Sequence, residues 1–199
     1  MDTSEERGID EMEMDEYHLL DSDFKLKYFG YGEWVEEPDR VNFIHKGYSC
    51  KIIRICAREP YCMDEVYYGG HLCGYVKLDE THPYHGKGYQ DMNIDCHGGI
   101  TYAERSEWVD HPEENKFWIG FDCGHSGDFI PSSEMFKKRH NKPSWIEKMN
   151  EIFDSSNLPD YLKPTYKNLN FCIEECKSIV DQLIVIAEQG ENINDLPPS

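Results

Sequence analysis

Apolar and polar residues alternate with the period of two of a β-strand in several stretches of this chain, and fall into a helical stripe in one. In residues 49–57, SCKIIRICA, Cys50, Ile52 and Cys56 share one face while Ile53 and Ile55 take the other, the pattern of a strand covered on both sides. Residues 71–78, HLCGYVKL, form a second strand after the Gly69-Gly70 break. The pattern predicts a third strand over 93–103, with Ile94, Cys96, Ile100 and Tyr102 pointing one way and Asn93, Asp95, His97 and Thr101 the other. A fourth is expected over 117–123, with Phe117, Ile119, Phe121 and Cys123 on the apolar face and Trp118, Gly120 and Asp122 opposite. Between 168 and 190, Leu169, Cys172, Ile173, Cys176, Ile179, Val180, Leu183 and Ala187 form one helical stripe, and Gly190 is its expected stop. Ser144 and Glu147 stand at capping-box spacing, which predicts a short helix over 145–153. Strands followed by a long helix give an α+β fold, in which a single antiparallel sheet of about four or more strands packs one face against the C-terminal amphipathic helix.

Charge and cysteine usage change that picture at its ends and narrow the function. The formal net charge is −19, and residues 1–23 hold ten acids against the one basic residue Arg7. That segment reads as an acidic, flexible extension, 24–190 as one domain with an irregular or helical insertion at 129–165, and 191–199 as a loose tail. An acidic surface repels phosphate backbones, so direct nucleic-acid binding is not expected, although it suits docking to a basic protein. No stretch approaches the roughly 18 apolar residues of a membrane span. The N-terminus lacks a secretion pattern, so a cytoplasmic location is expected. Eight cysteines without any Cys-x-x-Cys pair read as reduced thiols rather than a disulfide framework or a structural zinc site. Cys123, Cys96, Cys172 and Cys176 all fall on apolar faces, so core packing is expected of them rather than nucleophilic chemistry.

The candidate chemistry gathers on the polar faces of the third and fourth strands. Asp95, His97 and Thr101 would face Asp122, with His125 and Asp128 in the loop just beyond. Gly98, Gly99 and Gly120 would leave room for a ligand, since a residue without Cβ allows close approach. His97 or His125 could act as a general base oriented by Asp95 or Asp128. His97, Asp122, His125 and Asp128 also form a His/carboxylate set able to hold a divalent metal, though the spacing matches no metal signature and the metal is not favoured. Arg54, mid-strand among apolar residues, needs a partner, either an anionic ligand or a carboxylate such as Asp95 or Asp122. Tyr75, His82 and Trp118 complete the candidate ligand-binding set, Trp118 as a stacking surface and His82 as part of a rim loop. Each has a structural alternative: core packing for Trp118, a polar surface loop for His82.

In order along the chain, CGYV (73–76), HPYHGKGY (82–89), DCHGGITY (95–102), WIGFDCGHSGD (118–128) and YKNLNFCIEECKSIVDQL (166–183) resemble the motifs of a family of uncharacterised small proteins of phages and bacteria. That signature, C-G-Y-V, H-P-x-x-G, D-x-H-G-G-x-T and W-x-G-F-D-C-x-H-x-G-D followed by a helix ending in a Q-L pair, covers residues 49–128 and 166–189. The family brings no established activity. Carriage by phages implies an accessory role such as counter-defence in the host cytoplasm. On this basis the first expectation is a binding protein for a small polar, nucleotide-derived ligand, a cyclic nucleotide or an ADP-ribose derivative, that sequesters a host immune signal. The second is a His/Asp-based hydrolase of a phosphoester or nucleotide signal, with or without a metal's assistance, and the third an acidic protein-interaction module. Homo-oligomerisation stays open.

Overall fold

The computed structural model describes residues 14–58, 67–105, 109, 116–133, 159 and 163–194. Its centre is a six-stranded antiparallel sheet in the order β1-β2-β3-β4-β6-β5. The strands are β1 (Met14–Tyr17), β2 (Arg40–His45), β3 (Tyr48–Arg58), β4 (Tyr67–Leu78), β5 (Tyr102–Arg105) and β6 (Phe117–Asp122), and the helices are α1 (Ser22–Phe29) and α2 (Leu169–Asn194). Lys46 and Gly47, both at positive φ (46° and 85°), close the tight turn between β2 and β3, a conformation glycine takes without strain. The expected α+β architecture is what forms.

The two faces of the sheet are packed differently. One carries Val41, Phe43, Ile52, Leu72, Val76, Ile119 and Phe121 onto the stripe of α2, where Cys172, Cys176, Ile179, Val180 and Leu183 are fully buried. Gly74 permits this contact, because a Cβ there would overlap the Phe121 ring and lie 2.8 Å from Cys176 Sγ. The other face holds Ile53, Cys73, Tyr75, Val109 and Trp118, with Tyr102 packed beside them. A third cluster, around Tyr28, Phe29, Trp34 and Val35, seats α1. Asp21 caps α1 by accepting the Phe24 N–H at 2.7 Å, and Asn168 caps α2 by accepting the Phe171 N–H at 3.1 Å. No helix among the described residues is long and apolar enough to cross a membrane.

Several expectations are corrected. Residues 93–101 are not a strand; only Tyr102–Arg105 pairs, and the stretch before it turns at Gly98 and Gly99, both at positive φ (68° and 81°). Ile94 and Ile100 are still buried against the helix-side core, so the alternation reflected burial of a loop rather than pairing. Tyr102 leaves that set for the opposite face, where its ring meets Tyr75 edge-on. β4 does not start after Gly69-Gly70 but runs through them, opposite a register shift between Arg54 and Cys56. Residues 14–23, expected to belong to a flexible extension, are part of the fold: Met14–Tyr17 pairs with β2 as an edge strand, and α1 begins at Ser22. All four β1 residues are exposed, so pairing rests on the backbone and leaves no apolar alternation to read. α2 continues past Gly190 to Asn194. The helix expected over 145–153 lies outside the described residues.

Candidate functional site

The end of β6 delivers Asp122, and the tight turn that follows delivers His125 and Asp128. Asp122 Oδ1 accepts the Gly124 N–H at 2.9 Å, and Asp128 Oδ2 accepts the His125 N–H at 3.0 Å, so the turn is held by the carboxylates it presents. The Phe129 N–H donates to Thr165 O and the Thr165 N–H to Gly127 O (3.0 and 3.1 Å), which fixes Asp128 against the segment leading into α2. Asp128 is buried, yet neither of its oxygens is idle.

His97 comes to this turn from the loop before β5, not from a strand. That loop is stitched to α2 by side chains. Gln182 Oε1 accepts the Asp95 N–H, and Gln182 Nε2 donates to Asp95 O, both at 2.8 Å. Glu175 Oε2 accepts the His97 N–H at 2.8 Å. The Gln182 amide thus serves as the partner that a neighbouring strand would have supplied. So held, His97 places Nε2 at 2.8 and 3.0 Å from the two Asp128 oxygens, with its ring edge-on to Phe171 of α2.

His125 completes the group. Its Nδ1 lies 3.6 Å from both Asp122 Oδ1 and Asp128 Oδ2, and its ring is edge-on to His97. Nδ1 is buried and has no hydrogen-bond partner. Gly98 makes room for this ring, because a Cβ at Gly98 would overlap it. His97, His125 and Asp128 can each offer a ligand atom within 4.8 Å of the others. Lys167 adds one positive charge at the edge, 4.0 Å from Asp128 Oδ1 and over the Phe171 ring.

His71 borders the same place and was not among the residues singled out from the sequence. The pairing of Cys73 with Asp122 and the Cys123 N–H bond to Leu72 O carry the register on to set His71 opposite Gly124. Alternation puts it on the face of Asp122. Its Nδ1 is a second buried nitrogen without a hydrogen-bond partner. Burial lowers its pKa, against the opposing pull of Asp122 and Asp128, which favours the neutral imidazole. The signal available in the sequence was its spacing two residues before Cys73 on a strand next to the one bearing Asp122.

The remaining candidates do not converge here. Arg54 is consumed internally: Nε donates to Asp39 Oδ1 (2.8 Å), Nη2 to Glu37 Oε2 (3.1 Å), and Nη1 to Gly70 O (2.7 Å) and Tyr166 Oη (2.8 Å). Its partners are Asp39 and Glu37, not Asp95 or Asp122. Tyr75 and Trp118 are buried in the face opposite α2. The space over Gly120 is taken by the Tyr75 ring and Gly74 O, so it is a packing glycine. His82 accepts the Tyr84 N–H at Nδ1 (3.1 Å), while Nε2 lies 3.1 Å from Leu183 O, which pins its loop to α2. Asp95 takes part through its backbone, and Thr101 through an N–H bond to Gly120 O. Gly99 shapes the turn and has open space around it.

Among the described thiols, Cys50, Cys73, Cys123, Cys172 and Cys176 are buried, and Cys56 and Cys96 are half-buried. Cys123 Sγ lies 3.7 Å from Cys172 Sγ, and that contact together with burial holds its pKa well above the ordinary value, so Cys123 is not a poised nucleophile. Burial pushes Cys96 and Cys73 up to about 12. A shallow groove of about 690 Å³ runs along α2 past Lys46, Lys177, Asp181 and Gln182, but none of the His/Asp group lines it. Comparison of the chain with protein-family models, with curated proteins and with solved structures finds no match in any of the three.

Proposed function

We propose that this chain is a hydrolase of a phosphoester or nucleotide-type substrate, working through the His97–Asp128–His125 centre. The observation that carries the reading is the convergence of two imidazoles and a buried carboxylate on one partly open point, with no hydrogen-bond partner for the buried Nδ1 of His125 within the group or of His71 beside it. An imidazole held beside a fixed carboxylate is an arrangement that general acid–base chemistry uses. Lys167 at the edge suits an anionic substrate. The motif resemblance to phage and bacterial proteins makes a nucleotide signal a reasonable substrate class to test first.

Sequestration of a ligand without turnover is the weaker reading. It drew on a broad polar face containing Arg54, Tyr75, Trp118 and Gly120, and those residues are spent on internal packing and pairing. What is left is compact and rich in proton-transfer groups. The two readings separate in one experiment. The chain is incubated with cyclic nucleotides, ADP-ribose derivatives and a simple phosphodiester, then denatured, and the released compounds are analysed. Hydrolysed product made by the wild type and lost in His125→Gln supports the proposal. Intact compound recovered from the protein supports sequestration instead.

A further inference from the structure

We propose that His97, His125 and Asp128 bind one divalent transition-metal ion, with Asp122 as the adjacent carboxylate. This rests on the hydrolytic reading and moves water activation from the two imidazoles, whose ligating nitrogens would no longer take up a proton, to the ion, but it stands on geometry of its own. In a tetrahedral site with ligands about 2.0–2.1 Å from the ion, neighbouring ligand atoms are about 3.4 Å apart. His125 Nδ1 lies 3.6 Å from Asp128 Oδ2 and 3.6 Å from Asp122 Oδ1, and His97 Nε2 lies 2.8 Å from Asp128 Oδ2. The first two separations are already those of a ligand set. The third is a hydrogen bond that an ion would replace by a widening, and the three ligand atoms, within 4.8 Å of one another, would draw in around it.

A second observation points to a ligand independently of this clustering. His125 Nδ1 is buried, aimed at two carboxylates, and lacks a hydrogen-bond partner. A buried ring nitrogen is rarely left in that state without something to meet it. The donors also define the ion. Two imidazoles with one or two carboxylates suit zinc, cobalt, nickel, manganese or ferrous iron, whereas calcium and magnesium favour oxygen-only sets. The supporting contacts are in place: Gly124 and His125 N–H groups orient Asp122 and Asp128, and Gly98 lets the His125 ring reach its position. His71 stands just outside this set with its own unpartnered Nδ1, where it could contact a metal-bound water or the substrate.

The test is a Co²⁺ titration of the full chain after treatment with a chelator, read by visible absorption and by metal content, with Zn²⁺ competition. The expected result is one saturable equivalent of Co²⁺, displaced by Zn²⁺, with affinity reduced by about 100-fold or more in His125→Ala and in Asp128→Asn. His82→Gln, which changes a histidine outside the set, should leave binding unchanged. Circular dichroism of each variant separates lost ligands from lost fold, and His97→Ala gives a second ligand variant if Asp128→Asn does not fold. Absence of a saturable equivalent, or equal binding by wild type and the folded ligand variants, overturns the inference. Turnover that persists in metal-free protein overturns the water-activating role given to the ion while leaving the hydrolytic reading intact. A bound ion with no turnover of any substrate supports the inference and counts against that reading.

Discussion

Two neighbouring glycines make the sharpest residue-scale contrast. Gly98 and Gly99 both hold positive φ, so alanine at either position is strained by about 1–2 kcal/mol. Only at Gly98 does the new Cβ also run into His125; at Gly99 it meets nothing within 4 Å. Gly98→Ala should therefore lose more stability in urea than Gly99→Ala, by about 1–3 kcal/mol for the overlap, and Gly98→Ala alone should lower hydrolysis by tenfold or more. Equal activity in the two variants would remove His125 from the centre. His82 offers a different test. Burial holds its folded pKa below the ordinary 6.5, so the unfolded chain takes up the proton first as pH falls. Its contribution to stability is complete above the unfolded value and is lost as pH falls from there through the folded one. His71, shifted in the same direction, adds to that slope. His82→Gln should flatten the decline of the urea midpoint below about pH 6.5, and an unchanged slope would show that His82 does not carry it.

At the scale of elements, Arg54 is where β3, the chain around α1 and the approach to α2 are tied together. Asp39 also binds Lys25 of α1 at 3.0 Å and accepts the Leu19 and Leu20 N–H groups, while Tyr166 donates to Glu37 at 2.6 Å. Arg54→Met leaves the buried Asp39 with Lys25 alone and the half-buried Glu37 without its cation, which costs about 3 kcal/mol. The expected outcome is a large fall in thermal and urea stability with kcat unchanged at temperatures where the variant is folded. A selective loss of activity would return Arg54 to the binding role its place in the sequence suggested. Periodicity located β3, β6, most of β4 and α2, but the reading passed over β2 and α1, although Val41, Phe43, Tyr28 and Phe29 are buried there. It said nothing of β1, whose side chains are all exposed, and it mistook the 93–101 loop for a strand because Ile94 and Ile100 are buried at strand spacing. The Gly98-Gly99 pair turns the chain, whereas Gly69-Gly70, also at positive φ, stays inside β4 opposite a register shift, so a Gly-Gly pair does not by itself tell a turn from a strand.

Across the whole molecule, the candidate centre sits where β4, the end of β6, the loop before β5 and the start of α2 meet, at the end of the sheet rather than on its open face. His97, Asp122, His125 and Asp128 were legible in the sequence because the motif that holds three of them is short and glycine-rich. His71 was not, because its relation to Asp122 depends on the pairing of β4 with β6, and strand order cannot be read from one strand at a time. Trp118, Tyr75 and Gly120 pointed away from the centre for the same reason: the face they share is sealed by Ile53, Cys73 and Val109. The most direct measurement is therefore of product formed from a phosphodiester and nucleotide panel by the wild type and by His125→Gln. That substitution removes no observed side-chain hydrogen bond and should leave the fold intact. Hydrolysis by the wild type that falls by at least about 100-fold in the folded variant is the predicted result. Undiminished hydrolysis in His125→Gln, or none by the wild type across the panel, would contradict it.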